Sequence, residues 1–514
     1  MKIEEMTIEQ KLGHVFCYRL VAGRQDDVDF ALEMVKKHAV GAVQVPYNDL
    51  SIARRIKEAA DYPVIIVNDT EQGWPPSELP KTQLMTLGAC DDDESLLAYV
   101  RGVVSESQKA GLNATWGQIA DILRGDAPCS VYRKLSDDPH KVSRKLEVMY
   151  TEMMKHHFLP CAKHYPGSSE DPMDTHMAEG ESHLTEKDLK EFDLIPYQHL
   201  LSKGLLPAIM TNHNKYVNID PEYPASLSKK VIDIIRNMGF DGLCYTDSFA
   251  MMGILQKFGE ENVYGMAIAA GNDIVLPNFR SSARECFEML KKNYEDGMIS
   301  DERLNEAVRH VQAAQEFVGQ QQGICPFSAE DDKKLRELAA DCITAITDGV
   351  DVAIDKNEKT LFIVLTENNY DPTDNHEIQT GKWYDPDRVV RAIHREFPNA
   401  AVEYLPEFSM QRDHDRVLTA ATQYKQAVFV TFCTTTSYLG TDGLTRRTEV
   451  VIDALSRSGK VAAVVHFGNP FALKYLPPMK RRIYGYMMEQ SQEYAIEVLS
   501  GRREAKGRLP FVIE

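Results

Sequence analysis

Eight short apolar runs recur through roughly the first 280 residues, and a longer amphipathic stretch separates most of them. The runs lie at 14–18, 41–45, 64–68, 112–116, 159–164, 208–213, 242–247 and 273–276. Helical spacing of apolar residues is clearest at 49–60, 93–110, 141–157, 186–202 and 229–238. A helix between two strands forces them to run parallel, and the crossover is right-handed. Eight such units predict a (β/α)8 barrel of the TIM type, which takes ~250 residues. A long helix is then expected over about 329–353. A second alternation follows Asp355-Lys356-Asn357, with apolar runs at 360–365, 401–404, 427–432, 461–466 and 482–486. The expected order is a barrel over 1–325, a helical linker over 326–356, and a smaller three-layer α/β sandwich over 357–514.

Composition narrows the partners. The net charge of -19 argues against nucleic acid or an anionic membrane. No apolar run approaches the ~20 residues of a membrane helix. The first residues, MKIEEMTIEQKLGHVF, carry early acids and no signal-peptide core. The nine cysteines are scattered without a C-x-x-C pair, which suits a reducing cytoplasm. Although there are 15 histidines, no H-E-x-x-H or Cys/His knuckle occurs, so no metal is expected. No P-loop, dinucleotide fingerprint or G-x-S-x-G elbow is present, and no cofactor is expected.

Polar residues gather at the C-terminal ends of the expected strands, where barrel enzymes place their chemistry. The densest stretch is Lys163-His164-Tyr165-Pro166-Gly167, followed by Asp174-Thr175-His176. A carboxylate two residues from an imidazole can hold one ring nitrogen and leave proton transfer to the other. Asp247 ends another run; it is either a used carboxylate or a cap for the next helix. Asp69 precedes Glu71, Gly73 and Trp74, a set suited to a sugar ring or to an ordinary loop. Arg124 and Arg133 follow the fourth run, where basic residues are either solvated or aimed at a ligand oxygen.

These stretches together resemble glycoside hydrolase family 3. Residues 163–176 resemble K-H-F-P-G-H-G-D-x-x-x-D-S-H with the same spacing, in the form carried by the β-N-acetylglucosaminidase branch. Pro221-Glu222-Tyr223-Pro224-Ala225-Ser226-Leu227-Ser228, Gly239-Phe240-Asp241-Gly242 with Thr246-Asp247-Ser248, and Ala270-Gly271-Asn272-Asp273 are similar to further stretches of that family, in the right order. Arg133 with Ser136-Asp137-Asp138-Pro139 resembles R-S-F-[GS]-x-D-P, and Gly501 with Lys506-Gly507-Arg508-Leu509-Pro510 resembles its closing G-K-L-P. The resemblance implies a retaining exo-β-glycosidase acting on a small carbohydrate, foremost a β-N-acetylhexosaminidase. Asp247 would be the nucleophile and His176 the acid/base, with Asp174 holding its tautomer. Asp69, Arg133, Lys163, His164 and His213 would hold sugar hydroxyls. Three departures stand out. Ser168-Ser169 replaces a His-Gly, the Asp69 loop lacks the family's arginine, and Ser248 replaces a frequent second aspartate. The alternatives are a β-glycoside phosphorylase, a β-glucosidase-type enzyme, and a sugar-binding protein without catalysis.

Overall fold

The computed structural model describes all residues except 75, 125–130, 168–169, 171–172, 368–383, 434–442 and 514. Two compact units form. The first comprises Met1–Leu79, Leu96–Ala127 and Ser136–Asp331, and the second Pro80–Ser95, Pro128–Leu135 and Asp332–Glu514.

In the first unit all eight expected strands are present: β1 (Cys17–Arg19), β2 (Ala42–Gln44), β3 (Ile65–Asn68), β4 (Ala114–Ile119), β5 (Leu159–Tyr165), β6 (Ala208–Thr211), β7 (Leu243–Ser248) and β8 (Ile274–Leu276). They pair in parallel in chain order. A parallel bridge from Phe16 to Val275 joins the last strand to the first. Side chains of alternate residues point inward. Ile65 and Val67, Leu159 and Cys161, and Leu243 and Tyr245 therefore meet in the barrel interior, where Trp116 packs edge-on against Tyr245 at 5.7 Å. Each such side chain contributes roughly 1.5–3 kcal/mol by leaving water.

Surrounding helices start where side chains satisfy their first N–H groups. Thr7 with Gln10, and Ser282 with Glu285, form reciprocal caps. Asp138 caps Pro139–Lys155 and Ser228 caps Lys229–Asn237. The single helix expected over 186–202 is broken into one turn at Glu186–Asp188, a wide π-helical turn at Leu189–Asp193 and a helix at Ile195–Ser202. Pro196 accounts for the restart, because proline fits a helix's first turn and not its interior.

The second unit holds a six-stranded mixed sheet: β9 (Thr344–Thr347), β10 (Thr360–Thr366), β11 (Ala401–Pro406), β12 (Gln426–Cys433), β13 (Val461–Gly468) and β14 (Arg481–Tyr486). Its spatial order is β9-β14-β13-β12-β10-β11, with only β9 antiparallel. Helices Pro386–Glu396 and Ser491–Leu499 pack together, as do Gln411–Ala421 and Arg446–Arg457, completing the layers. The long helix expected over 329–353 ends instead at Asp341. Ile343, Thr344, Ile346 and Thr347 follow, and β-branched residues favour the extended edge strand they form. No helix among the described residues is long and apolar enough to cross a membrane.

Candidate active site

The period of two that builds the barrel interior also builds its mouth. Ile65 and Val67 are followed two residues on by Asp69, Leu159 and Cys161 by Lys163, and Leu243 and Tyr245 by Asp247. Each polar residue thus continues an inward-facing row past the last apolar layer.

Lys163 is buried to 3% exposure, and such an ammonium needs partners. Asp69 Oδ1 lies 2.5 Å from its Nζ and Glu71 Oε1 2.7 Å. His164 is locked by Asp121: its backbone N–H donates to Oδ1 and its Nδ1 lies 2.8 Å from Oδ2. That leaves its Nε2 3.9 Å from Asp247 Oδ2. Peptide bonds Lys163–His164 and Tyr165–Pro166 are cis. Gly167 (φ +146°) completes the turn, and a Cβ there would meet the Asp193 side chain at 2.5 Å. Asp193 is in turn gripped by Arg124 through Nε and Nη2, at 3.1 and 2.6 Å.

Asp247 accepts from the Ser248 N–H at 2.7 Å. Burial opposes its charge, but His164, His213, that N–H and Lys163 outweigh burial and hold its pKa at about 2. It is a carboxylate under all ordinary conditions.

His176 takes its orientation from Asp174, whose Oδ1 lies 2.7 Å from Nδ1 and also accepts the His176 backbone N–H. The loop carrying them is fastened close to Asp247. Met252 N–H donates to His176 O, and Gly253 N–H to Thr175 O. A Cβ on Gly253 would meet Ala178 O at 2.4 Å and Thr175 O at 2.7 Å, so this contact requires glycine. Farther along, Glu181–Ser182 pairs with Lys215–Tyr216. Ser168 and Ser169 lie outside the described residues.

His213 and Arg133 complete the set of expected ligand residues. His213 is buried, and both ring nitrogens are engaged, by Ser226 Oγ (2.8 Å) and by Ser248 O (3.1 Å). Burial lowers its pKa, although Asp247 pulls the other way. Through the second bond it braces the Asp247 strand end. Arg133 ends the short 3-10 helix Val131–Arg133, in a stretch grouped with the second unit. Conversely, Asp121 and Arg19 belong to the mouth although their positions in the sequence do not announce it. Among the described residues, one group has metal-ligating types together: Glu152, His156 and Cys325, at the opposite end of the barrel wall, with Arg101 paired to Glu152.

Residues 7–314 match the Glycosyl hydrolase family 3 N terminal domain. The chain belongs to this family. It is a glycoside hydrolase, and its substrate is a carbohydrate. The beta-hexosaminidase of Xylella fastidiosa (strain M23) is 28% identical over 265 residues, 49% of this chain and 77% of that protein. The beta-N-acetylglucosaminidase/beta-glucosidase of Cellulomonas fimi is 24% identical over 373 residues, 67% of this chain and 65% of that protein. The solved family 3 beta-N-acetylglucosaminidase from Paenibacillus sp. str. FPU-7 superposes with a TM-score of 0.83 at 19% identity, covering 99% of both chains. Beta-glucoside phosphorylase BglX superposes at 0.82 with 21% identity, covering 99% of this chain and 94% of that one.

Proposed function

We propose that the chain is a retaining exo-β-N-acetylhexosaminidase that releases terminal N-acetylglucosamine. The observation that carries this reading is the Asp174-His176 pair on a loop fastened beside the strand end of Asp247. Asp247, ionised and partly accessible, attacks the anomeric carbon. The bond to the leaving oxygen breaks as His176 delivers a proton from Nε2, because Asp174 engages Nδ1. The product of this step is a glycosyl ester on Asp247. His176, now neutral, takes a proton from water as that water attacks the ester and restores the carboxylate. Asp69, Lys163 and His164 supply acceptors and donors to the sugar hydroxyls. The hexosaminidase and β-N-acetylglucosaminidase relatives favour an N-acetylated glycone. The buried, unbridged state of the eight described cysteines favours a reducing, cytoplasmic setting.

A β-glycoside phosphorylase is the second reading. The phosphorylase superposition favours it, and so does a histidine acid/base, which repels phosphate less than a carboxylate would. Nitrophenyl β-glycosides of N-acetylglucosamine and glucose, assayed with and without phosphate, decide between the two. Faster release from the N-acetyl substrate, abolished by Asp247→Ala, is expected. Phosphate-dependent turnover yielding sugar 1-phosphate would replace hydrolysis by phosphorolysis. Inertness toward both sugars would contradict both readings.

A further inference from the structure

Arg19 stands at the barrel mouth without a part in the chemistry above. It ends β1, and Cys17, two residues earlier, packs in the barrel interior. The pleat therefore turns Arg19 to the same side as Asp69, Lys163 and Asp247. Its guanidinium is held along one edge. Nε donates to Gln44 Oε1 at 2.6 Å, and Nη1 to Ser248 Oγ at 2.5 Å and Pro277 O at 3.0 Å. The Phe279 ring lies 4.9 Å from the guanidinium carbon. All these partners are neutral. Among the described residues no carboxylate comes within ion-pair distance of Arg19, and its Nη2 has no protein partner. Asp69 and Asp247 act on it through space, while burial works against its charge. Arg19 is nevertheless only part-buried. A desolvated cation is costly unless it is paired or used.

Two departures of this sequence from the family pattern converge on this residue. Position 248 holds serine where the resembling stretch often has a second aspartate. A carboxylate there, in the place of the oxygen that now accepts from Nη1, would form an ion pair and neutralise Arg19. The Asp69 loop also lacks an arginine of its own.

We propose that Arg19 is a substrate-binding residue whose Nη2 donates to an oxygen of the glycone seated between Asp69 and Asp247. In a ring of eight strands β1 lies opposite β5, and the His176 loop follows β5. Arg19 therefore serves the glycone and not the leaving group. This inference deepens the glycosidase reading and rests on it.

The test compares wild type, Arg19→Met, Arg19→Lys and Ser248→Asp. The readouts are KM for aryl β-glycosides of graded leaving-group acidity and Ki for the free monosaccharide that the wild type releases. A lost charge-assisted hydrogen bond predicts a rise in Ki of roughly ten- to a hundred-fold in Arg19→Met. KM should rise by a similar factor for every leaving group, with an unchanged pH profile. Arg19→Lys should recover part of the loss, and Ser248→Asp should reproduce it with Arg19 still present. Unchanged Ki and KM in Arg19→Met, beside an active wild type, overturn the inference. If that variant does not fold, unchanged Ki in Ser248→Asp overturns it. A wild type inert toward every glycoside contradicts the glycosidase reading itself, a result distinct from either.

Discussion

Asp174 and His176 share the work of proton transfer. The carboxylate fixes the ring through Nδ1, and the ring moves the proton. Asp174→Asn should therefore lower kcat by roughly 10²–10⁴-fold while KM changes little. The loss should shrink for a dinitrophenyl leaving group, which departs without a proton. An equal loss for both leaving groups would remove His176 from the acid role. This pair was legible in the sequence because two residues in one short loop carry the whole arrangement. Asp121 was not, because the apolar run of β4 stops at residue 116, whereas the strand continues to Ile119 and delivers Asp121 to the mouth. Arg19 lies a single residue past the apolar run of β1. For His213 the position at a strand end is visible in the sequence, whereas its two hydrogen bonds to Ser226 and Ser248 are not.

At the scale of elements, the His176 loop depends on a close backbone approach. Gly253→Ala places a methyl group where Ala178 O and Thr175 O now sit, so the loop must shift. The expected outcome is a kcat lowered about ten-fold or more, since misplacement by about 1 Å can cost 10²-fold. Thermal stability should change little by comparison. Wild-type kcat in Gly253→Ala would mean that the fastening does not position His176. Behind the turn at Gly167, Arg124→Met strips the partner from Asp193, whose side chain is fully buried. Breaking such a pair costs up to roughly 3–5 kcal/mol, discounted here because Arg124 itself is part-exposed, and denaturant unfolding at pH 7 measures it. The strands that carry these groups were legible from apolar runs bounded by polar residues. The break at Pro196 and the edge strand Thr344–Thr347 were not, because helical spacing of apolar residues continues through both. Proline chemistry and β-branching decide those segments locally.

For the whole molecule, each unit carries a buried histidine that resists protonation. Burial holds His14 in the barrel unit and His466 in the second unit at about 4, against an ordinary value of 6.5. Above pH 6.5 both are neutral whether the chain is folded or not. Between 6.5 and about 4 the unfolded chain binds protons that the folded chain refuses, so stability falls as pH falls, and the effect levels off below 4. Each contributes at most roughly 3 kcal/mol over that window. His466→Gln should flatten part of the slope in urea midpoints between pH 7 and pH 4.5; an unchanged slope would contradict the assignment. The alternation of strands and helices made the two sheets legible, since periodicity is local. The joining of Pro80–Ser95 and Pro128–Leu135 to the second unit was not, because it rests on contacts with residues hundreds of positions away.

Catalysis as proposed passes through a covalent glycosyl-enzyme on Asp247. Incubation with a 5-fluoro N-acetylglucosaminyl fluoride, followed by intact-protein mass and peptide mapping, tests it most directly. One added sugar is expected on the peptide containing Asp247, and none in Asp247→Ala. A label on another residue, or turnover of the reagent with no covalent species, would contradict it.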